Sequence, residues 1–401
     1  MTGRLRVLFA STHGVLDPSS GAALCTRDLL ELLAARGHDC RAVSTGVLDF
    51  EADTPLDAAL AELGVALRPA RAELGGGDSV EVRDGVVHGV RVTLVPTRSS
   101  RAERAPDPDE AAAWLALAER AIDRFRPHAL LTYGGHPAGL ELMRRARLRG
   151  VRVLFHLHNF AYDDPRVFTD ASAAIVPSEY ARRFYRERVG VDGIVLPDPL
   201  RPERVVAADP EPAYVTFVNP QPAKGVTVFA RIALELGRRR PDIPLLVVEG
   251  RGGSDWLARV PLDLSGLANL HRMANTPEPR DFWRVTRAVL MPSLWRESLG
   301  RVAMEGLANG LPVLAGERGA LPGTLGDAGF VFALPERCEP GSAEVPTARE
   351  VAPWVRTIER LWDDAAFEAE HRARARAEAG RWAVDPLLDR YEAALRGVAG
   401  P

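Results

Sequence analysis

Short apolar runs that alternate with amphipathic helical stretches constrain the fold of this chain more than any other feature. The runs are rich in valine, leucine and phenylalanine, and they fall at 5–12, 40–45, 90–97, 128–135, 151–158, 173–178, 214–220, 244–250, 288–293 and 312–317. Short apolar runs flanked by helices are typical of parallel strands buried on both faces. The sequence therefore predicts an α/β protein with doubly wound, Rossmann-like parallel sheets.

A proline-rich segment at 195–213 interrupts this alternation, which then starts again. Such a segment suits a linker between domains, because proline lacks the N–H that helices and central strands need. We therefore predict two Rossmann-like domains, 1–200 and 201–386, facing each other across a cleft. Ligands of such folds bind at the carboxyl ends of the strands. The tail at 354–398 is predicted to be helical, with an interruption at Pro386.

Composition excludes several classes of function. The formal net charge of −3 argues against generic nucleic-acid binding, which normally requires a basic excess. The three cysteines have no metal-like spacing and are expected to be buried in a reducing compartment. No signal-peptide-like stretch and no apolar run of about 18 residues occurs. The expectation is a soluble, cytoplasmic protein without membrane association.

Lys224 is the only lysine among 51 basic residues, the rest being arginine. It stands between an apolar strand and a helix that Gly225 opens. A compact ammonium at such a junction suits a phosphate group, since helix starts also favour anions. A Schiff-base lysine would need a desolvated or cation-adjacent amine, and nothing nearby in the sequence indicates one.

Two glutamates bracket the start of a predicted helix in the segment 291–332. Glu297 stands in a polar loop and Glu305 lies eight residues later; a mostly helical interval would separate them by about 12 Å. That distance is comparable with the span from a sugar ring across a diphosphate to a ribose. Backbone N–H groups between the glutamates could take phosphate oxygens. These are the N–H groups of Ser298, Leu299, Gly300 and Arg301.

In this order the motifs resemble the retaining glycosyltransferases of the GT-B fold, glycosyltransferase family 4. The matching elements are Pro292-Ser293, the pair Glu297 and Glu305 with seven residues between them, and the stretch 310–313, with Lys224-Gly225 upstream. The resemblance covers the C-terminal half and, more loosely, the N-terminal half.

The resemblance implies a role for each matching residue. The residue matching Glu297 touches the donor sugar, that matching Glu305 holds the nucleotide ribose, and that matching Lys224 contacts the diphosphate. In the N-terminal half, Gly21 matches a glycine loop after the first strand, and His158 matches a histidine near the donor sugar. The final helix, 387–401, is expected to pack back on the N-terminal domain. No cofactor or metal is required beside the nucleotide-sugar donor.

Two positions depart from the family pattern. Asn219 replaces an arginine that usually neutralises phosphate charge, and Arg251 and Arg301 are candidates to compensate for it. Gly323 stands where a glutamate is commoner, which leaves the contacts to the donor sugar open.

The predicted function is transfer of a sugar, with retention, from a nucleotide-sugar donor to a hydroxyl or other nucleophile of an acceptor. The C-terminal domain would bind the donor and the N-terminal domain the acceptor, with a small specialised metabolite favoured. Alternatives are a surface-glycan or lipid-linked acceptor, a non-catalytic sugar-nucleotide-binding partner, and a GT-B epimerase or phosphorylase. The oligomeric state stays open.

Two other chemistries are disfavoured. A nucleotide-dependent oxidoreductase would need a Gly-x-Gly-x-x-Gly turn after the first strand, and residues 11–21 lack it. His156 and His158 would lie on one face of the predicted strand 151–158, but the sequence offers no evident third ligand for a metal.

Overall fold

The computed structural model describes residues 3–18, 20–48, 53–250, 256–276 and 278–398. It divides into two compact units, Met1–Pro199 with Val384–Pro401, and Leu200–Ala383. The predicted boundaries at 200 and 386 lie within three residues of these. No helix among the described residues has both the length and the apolar character needed to cross a membrane.

The first unit is built on a nine-stranded sheet with the order β3-β4-β5-β2-β1-β6-β7-β8-β9. All neighbouring strands are parallel except in the antiparallel stretch formed by β3, β4 and β5. In chain order its elements are β1 Arg6–Ser11, α1 Gly21–Ala35, β2 Asp39–Thr45, α2 Leu56–Glu62, β3 Arg68–Gly75, β4 Asp78–Val87, β5 Val90–Val95, α3 Pro108–Phe125, β6 Ala129–Thr132, α4 Pro137–Leu148, β7 Arg152–His156, β8 Ala173–Val176, α5 Glu179–Val189 and β9 Ile194–Val195.

The second unit is built on an all-parallel six-stranded sheet with the order β12-β11-β10-β13-β14-β15. Its elements are α6 Pro202–Val205, β10 Tyr214–Val218, α7 Val226–Arg239, β11 Leu245–Val248, β12 Leu270–Met273, α8 Arg280–Val285, β13 Thr286–Met291, α9 Arg301–Ala308, β14 Val313–Gly316, α10 Leu321–Leu325, β15 Phe330–Phe332, α11 Ala348–Asp363 and α12 Ala365–Ala379. The last helix, α13 Val384–Arg396, belongs to the first unit.

The central parallel strands of both sheets, such as β1 and β13, are buried on both faces, as the continuous apolar runs predict. In β1, Val7 and Phe9 enter one apolar core while Leu8 and Ala10 enter another. In β13 the same alternation sends Leu290 to one core and Val289 to the other. All ten predicted strands are present, and the predicted doubly wound α/β fold is confirmed.

The C-terminal tail differs from its prediction. The helices end at Asp363 and Ala379, and Pro386 lies inside the first turn of α13 rather than at a break. The first turn tolerates proline because its N–H groups have no helical partner in any case. Tyr391 of α13 donates its hydroxyl toward the backbone oxygens of Leu196 and Pro197, each at 3.2 Å. This helix therefore holds the end of the first unit, just before the linker, in place.

Candidate functional site

The junction between β10 and α7 is a tight turn that brings Lys224 against the segment following β13. Gly225 has a φ of 84°, and a Cβ at this position would lie 1.9 Å from the Pro292 backbone oxygen. The Ala223 oxygen accepts hydrogen bonds from the N–H groups of Leu294, at 3.0 Å, and Trp295, at 2.8 Å. Only glycine combines this left-handed backbone with so close an approach, so the packing of the two loops requires glycine directly after Lys224.

Lys224 and Glu297 form an ion pair in this packing. Lys224 Nζ donates to Glu297 Oε1 at 2.7 Å, and Ser293 Oγ donates to the same oxygen at 2.7 Å. The Lys224 side chain is 31% exposed, whereas residue Glu297 is 8% exposed. The carboxylate is therefore oriented by two donors, while the ammonium keeps donors for a ligand that approaches from solvent.

The backbone on either side of Glu297 is held as closely as its side chain. The Glu297 oxygen accepts the Ala320 N–H at 2.8 Å. Gly319 has a φ of 62°, and a Cβ there would lie 2.2 Å from the same Glu297 oxygen. Thr324 Oγ1 donates to the Leu299 oxygen at 2.5 Å. The segment 319–324 thus supports the loop that carries Glu297.

Glu305 is held on α9 by two side-chain donors. Arg301 Nε donates to Glu305 Oε1 at 2.7 Å, and Trp283 Nε1 donates to Glu305 Oε2 at 3.1 Å. Glu305 is 6% exposed. A nearly buried carboxylate needs such partners, and each oxygen keeps lone pairs for a further donor such as a hydroxyl.

The path between the two glutamates differs from the sequence prediction. Ser298 and Leu299 lie in the loop, Gly300 precedes the helix with a φ of 92°, and α9 begins only at Arg301. Half of the interval is therefore not helical, and the separation of about 12 Å derived from a mostly helical path is not supported. The physical reason is the left-handed Gly300, which turns the chain into the helix after the loop.

Asn219, which stands where the family has an arginine, and the candidates to compensate for it, Arg251 and Arg301, have different surroundings. Asn219 follows β10 with a φ of 61°, and a Cβ on Gly250 would lie 2.3 Å from its Oδ1. Among the described residues that buried Oδ1 has no hydrogen-bond partner. Arg301 is paired with Glu305, so its charge is shared with a carboxylate. Arg251 lies outside the described residues.

The two site residues predicted in the first unit, Gly21 and His158, lie in different segments of that unit. Gly21 is the first residue of α1, and a Cβ there would meet nothing within 4 Å. Glycine is therefore not required at position 21 by packing within the structure. His158 lies beyond the end of β7, and its ring meets that of Tyr133 edge-on at 5.4 Å. His158 was predicted to lie within the strand, but β7 ends at His156; the two rings nevertheless lie side by side, as predicted, with centroids 4.0 Å apart.

The structure surrounds His158 with residues that sequence reasoning missed. Asp198 Oδ1 lies 3.6 Å from His158 Nδ1 and 3.2 Å from His156 Nε2. Cys25 of α1 completes a group whose ligand atoms, one each from Cys25, His158 and Asp198, all lie within 4.8 Å of one another. We call Cys25, His156, His158 and Asp198 the histidine cluster. No local motif could have revealed the whole cluster, because Cys25 and Asp198 lie far along the chain from the two histidines.

Burial and mutual contact decide the charges in the histidine cluster. Burial, helped by the neighbouring His158, lowers the pKa of His156 to about 4, so this imidazole is neutral at neutral pH. Burial alone would raise the pKa of Asp198, but His158 and His156 outweigh it and hold that pKa well below its usual range. Burial also raises the pKa of Tyr391, which packs beside His156. The cluster therefore contains an ionised carboxylate in an interior site.

Comparisons with known proteins agree with these features. Residues 212–342 match a family model described as Glycosyl transferases group 1. D-inositol 3-phosphate glycosyltransferase of Segniliparus rotundus is 33% identical over 202 residues, which cover 48% of this chain and 42% of that protein. Phosphatidyl-myo-inositol mannosyltransferase of Mycolicibacterium smegmatis is 30% identical over 165 residues, 39% of this chain and 42% of that protein. The match thus spans less than half the length of these relatives.

Solved structures resemble the chain over almost its whole length. A glycosyltransferase from Rickettsia africae superposes with a TM-score of 0.66 at 14% identity, covering 98% of both chains. HepE of Anabaena in complex with UDP-glucose gives 0.66 at 16% identity, covering 98% of this chain and 100% of that one. The chain therefore has the GT-B fold, and within it residues 212–342 match the family model described as Glycosyl transferases group 1.

Proposed function

We propose that this protein is a retaining, nucleotide-sugar-dependent glycosyltransferase of family 4, and that its second unit holds the donor. The observation that carries the proposal is the Lys224–Glu297 pair at 2.7 Å, together with the supported carboxylate of Glu305 eight residues later. Lys224 can thus neutralise a diphosphate while it contacts Glu297. Glu297 and Glu305 can each accept hydrogen bonds from hydroxyl groups of the donor. The motif order and the match of residues 212–342 support the same assignment.

The proposed chemistry is electrostatic. Lys224 and the N–H groups at the start of α9 stabilise the departing diphosphate, whose negative charge grows as the bond to the sugar breaks. Glu297 accepts a sugar hydroxyl, and Glu305, oriented by Trp283 and Arg301, accepts the ribose hydroxyls. As proposed for the family, a phosphate oxygen takes the proton of the acceptor. The diphosphate then needs no metal ion.

The acceptor is proposed to bind through the first unit, and His158 and Gly21 are proposed as further contacts of the donor. The names of two relatives refer to inositol 3-phosphate and phosphatidyl-myo-inositol. These names support a hydroxyl-bearing acceptor, and we propose a small molecule of this kind. A glycan or lipid-linked acceptor is the alternative outcome of an acceptor screen.

Titration of the full chain with UDP, GDP, dTDP, ADP and CDP tests donor binding. Wild type is expected to bind one of them, and Lys224→Met is expected to weaken that binding about 10- to 100-fold, since a hydrogen bond to a charged group contributes about 1.5–3 kcal/mol. Arg239→Met is the matched control, because Arg239 is a cation of α7 paired with Glu359. Binding of none of the five nucleotides by wild type refutes the transferase assignment.

Product analysis then tests catalysis and its stereochemistry. The nucleotide-sugar whose nucleotide binds is incubated with the protein and candidate acceptors, and the anomeric configuration of the product is read by NMR. A product with the configuration of the donor supports retention, and an inverted product excludes it. Nucleotide binding without transfer or hydrolysis of any donor indicates the non-catalytic alternative. Release of an epimerised or phosphorolysed sugar indicates the other enzyme classes.

A further inference from the structure

The histidine cluster joins three segments of the first unit at one buried point. Cys25 lies on α1, His158 follows β7, and Asp198 follows β9. Cys25 and Asp198 are buried residues, and the side chain of His158 is 7% exposed. Cysteine, histidine and aspartate are three of the side chains that bind transition metals in proteins.

The spacing within the cluster is close to that of a tetrahedral metal site. Zinc bonds of about 2.0–2.3 Å place neighbouring ligand atoms about 3.4–3.6 Å apart. His158 Nδ1 and Asp198 Oδ1 are 3.6 Å apart, and every pair among the three ligand atoms lies within 4.8 Å. Contraction of the wider pairs by up to about 1.4 Å, through side-chain rotation, would bring all three ligand atoms to this spacing.

Charge balance also favours a divalent cation. Asp198 is buried, and the titratable groups around it are the imidazoles of His156 and His158, the Cys25 thiol and the Tyr391 hydroxyl. A Cys25 thiolate together with this carboxylate would neutralise a 2+ ion, so burying the complete site adds no net charge. The thiol ligand selects zinc over magnesium or calcium, which prefer oxygen ligands.

His156 lies where it can orient the carboxylate of Asp198, as hydrogen-bond partners of metal ligands usually do. It is fully buried, and its Nε2 lies 3.2 Å from Asp198 Oδ1. A neutral imidazole can donate an N–H to a carboxylate and fix the orientation of a ligand, which commonly strengthens metal binding. The cluster therefore offers three candidate ligands and one histidine placed to orient Asp198.

We propose that Cys25, His158 and Asp198 bind one Zn²⁺ ion per chain. Binding converts the Cys25 thiol to a zinc-bound thiolate and releases its proton to solvent, with no change of oxidation state. The ion ties α1, the segment after β7 and the segment after β9 together. Coordination through His158 Nδ1 leaves the Nε2 of that ring for another contact. The site lies in the first unit and does not depend on the proposed transferase activity.

The experiment uses the full chain, stripped with a chelator and then titrated with Zn²⁺ and with Co²⁺. Wild type is expected to bind one equivalent, to release a proton, and to show a thiolate-to-cobalt absorption band. Cys25→Ala should abolish the band, whereas the matched control Cys40→Ala should keep it, because Cys40 is a buried cysteine of β2 outside the cluster. His156→Ala should weaken Zn²⁺ binding about 10- to 100-fold while keeping the band.

Two results overturn the proposal. One is the absence of stoichiometric Zn²⁺ binding by folded wild type, which would identify the cluster as a hydrogen-bonded core. The other is a cobalt spectrum of wild type without a thiolate band, which excludes Cys25 as a ligand even if the variants fail to fold. Nucleotide titration of the same sample reports separately on the proposed function. Failure to bind Zn²⁺ does not affect the conclusion from nucleotide binding, and failure to bind a nucleotide does not affect the conclusion from Zn²⁺ binding.

Discussion

Replacing Gly225 with alanine tests whether the close packing of two loops holds the donor residues in place. The substitution adds a Cβ 1.9 Å from the Pro292 oxygen and 2.7 Å from its carbon, on a backbone with a φ of 84°. Both atoms belong to the backbone, so no side chain can rotate away. The two loops must separate by about 1.5 Å or more to restore an ordinary van der Waals contact of about 3.4–4 Å.

The structure gives the size of the expected effect. A left-handed backbone costs alanine about 1–2 kcal/mol. Separation of the loops also weakens the two hydrogen bonds that the Ala223 oxygen accepts from Leu294 and Trp295, each contributing about 1 kcal/mol. Gly225→Ala should therefore lower the free energy of unfolding of the second unit by about 3–4 kcal/mol. It should also pull Lys224 away from Glu297 and weaken nucleotide binding.

Gly341 supplies the matched control. It lies in the same unit with a φ of 85°, and a Cβ there meets nothing within 4 Å. Gly341→Ala should cost only the backbone term of about 1–2 kcal/mol and leave nucleotide affinity unchanged. Urea denaturation followed by tryptophan fluorescence suits the comparison, because six of the seven tryptophans lie in the second unit. Equal destabilisation by the two substitutions, with nucleotide affinity retained in both, would refute the reasoning.

Two further predictions concern the first unit. The pKa of His156 is lowered to about 4, so between pH 4 and about 6.5 the folded chain binds fewer protons than the unfolded chain. The metal-free protein should therefore lose up to roughly 3 kcal/mol of its free energy of unfolding as the pH falls through this window. Hydrogen exchange of β7 at pH 4.5 and 7.5 measures this loss, and an unchanged pH dependence in His156→Gln would contradict it. Asp107 caps α3 by accepting hydrogen bonds from the N–H groups of Asp109 and Glu110. Asp107→Ala should therefore lower the free energy of unfolding, measured by thermal unfolding, by about 0.5–2 kcal/mol. The control Asp109→Ala should lower it by only a few tenths of a kcal/mol. Equal losses in the two aspartate variants would show that the cap is not the cause.

The sequence was sufficient for the fold class because hydrophobic patterning is a local property. Strands buried on both faces and amphipathic helices each leave a signal within about ten residues, and all ten predicted strands are present. The antiparallel hairpin of β3 and β4 was missed, since its strands are half exposed and lack continuous apolar runs. The break predicted at Pro386 was wrong because a proline in a first helical turn needs no N–H donor.

What the sequence determined by itself is therefore the doubly wound α/β fold and the identity of Lys224, Glu297 and Glu305 as candidate ligand residues. Only the tertiary structure decided that Lys224 contacts Glu297 at 2.7 Å, that Trp283 supports Glu305, and that Cys25 and Asp198 meet His158. These contacts join residues far apart in the chain, and no local periodicity encodes such a distance. They depend on the crossover connections of parallel sheets, which deliver loops from separate strands to the same end of a sheet.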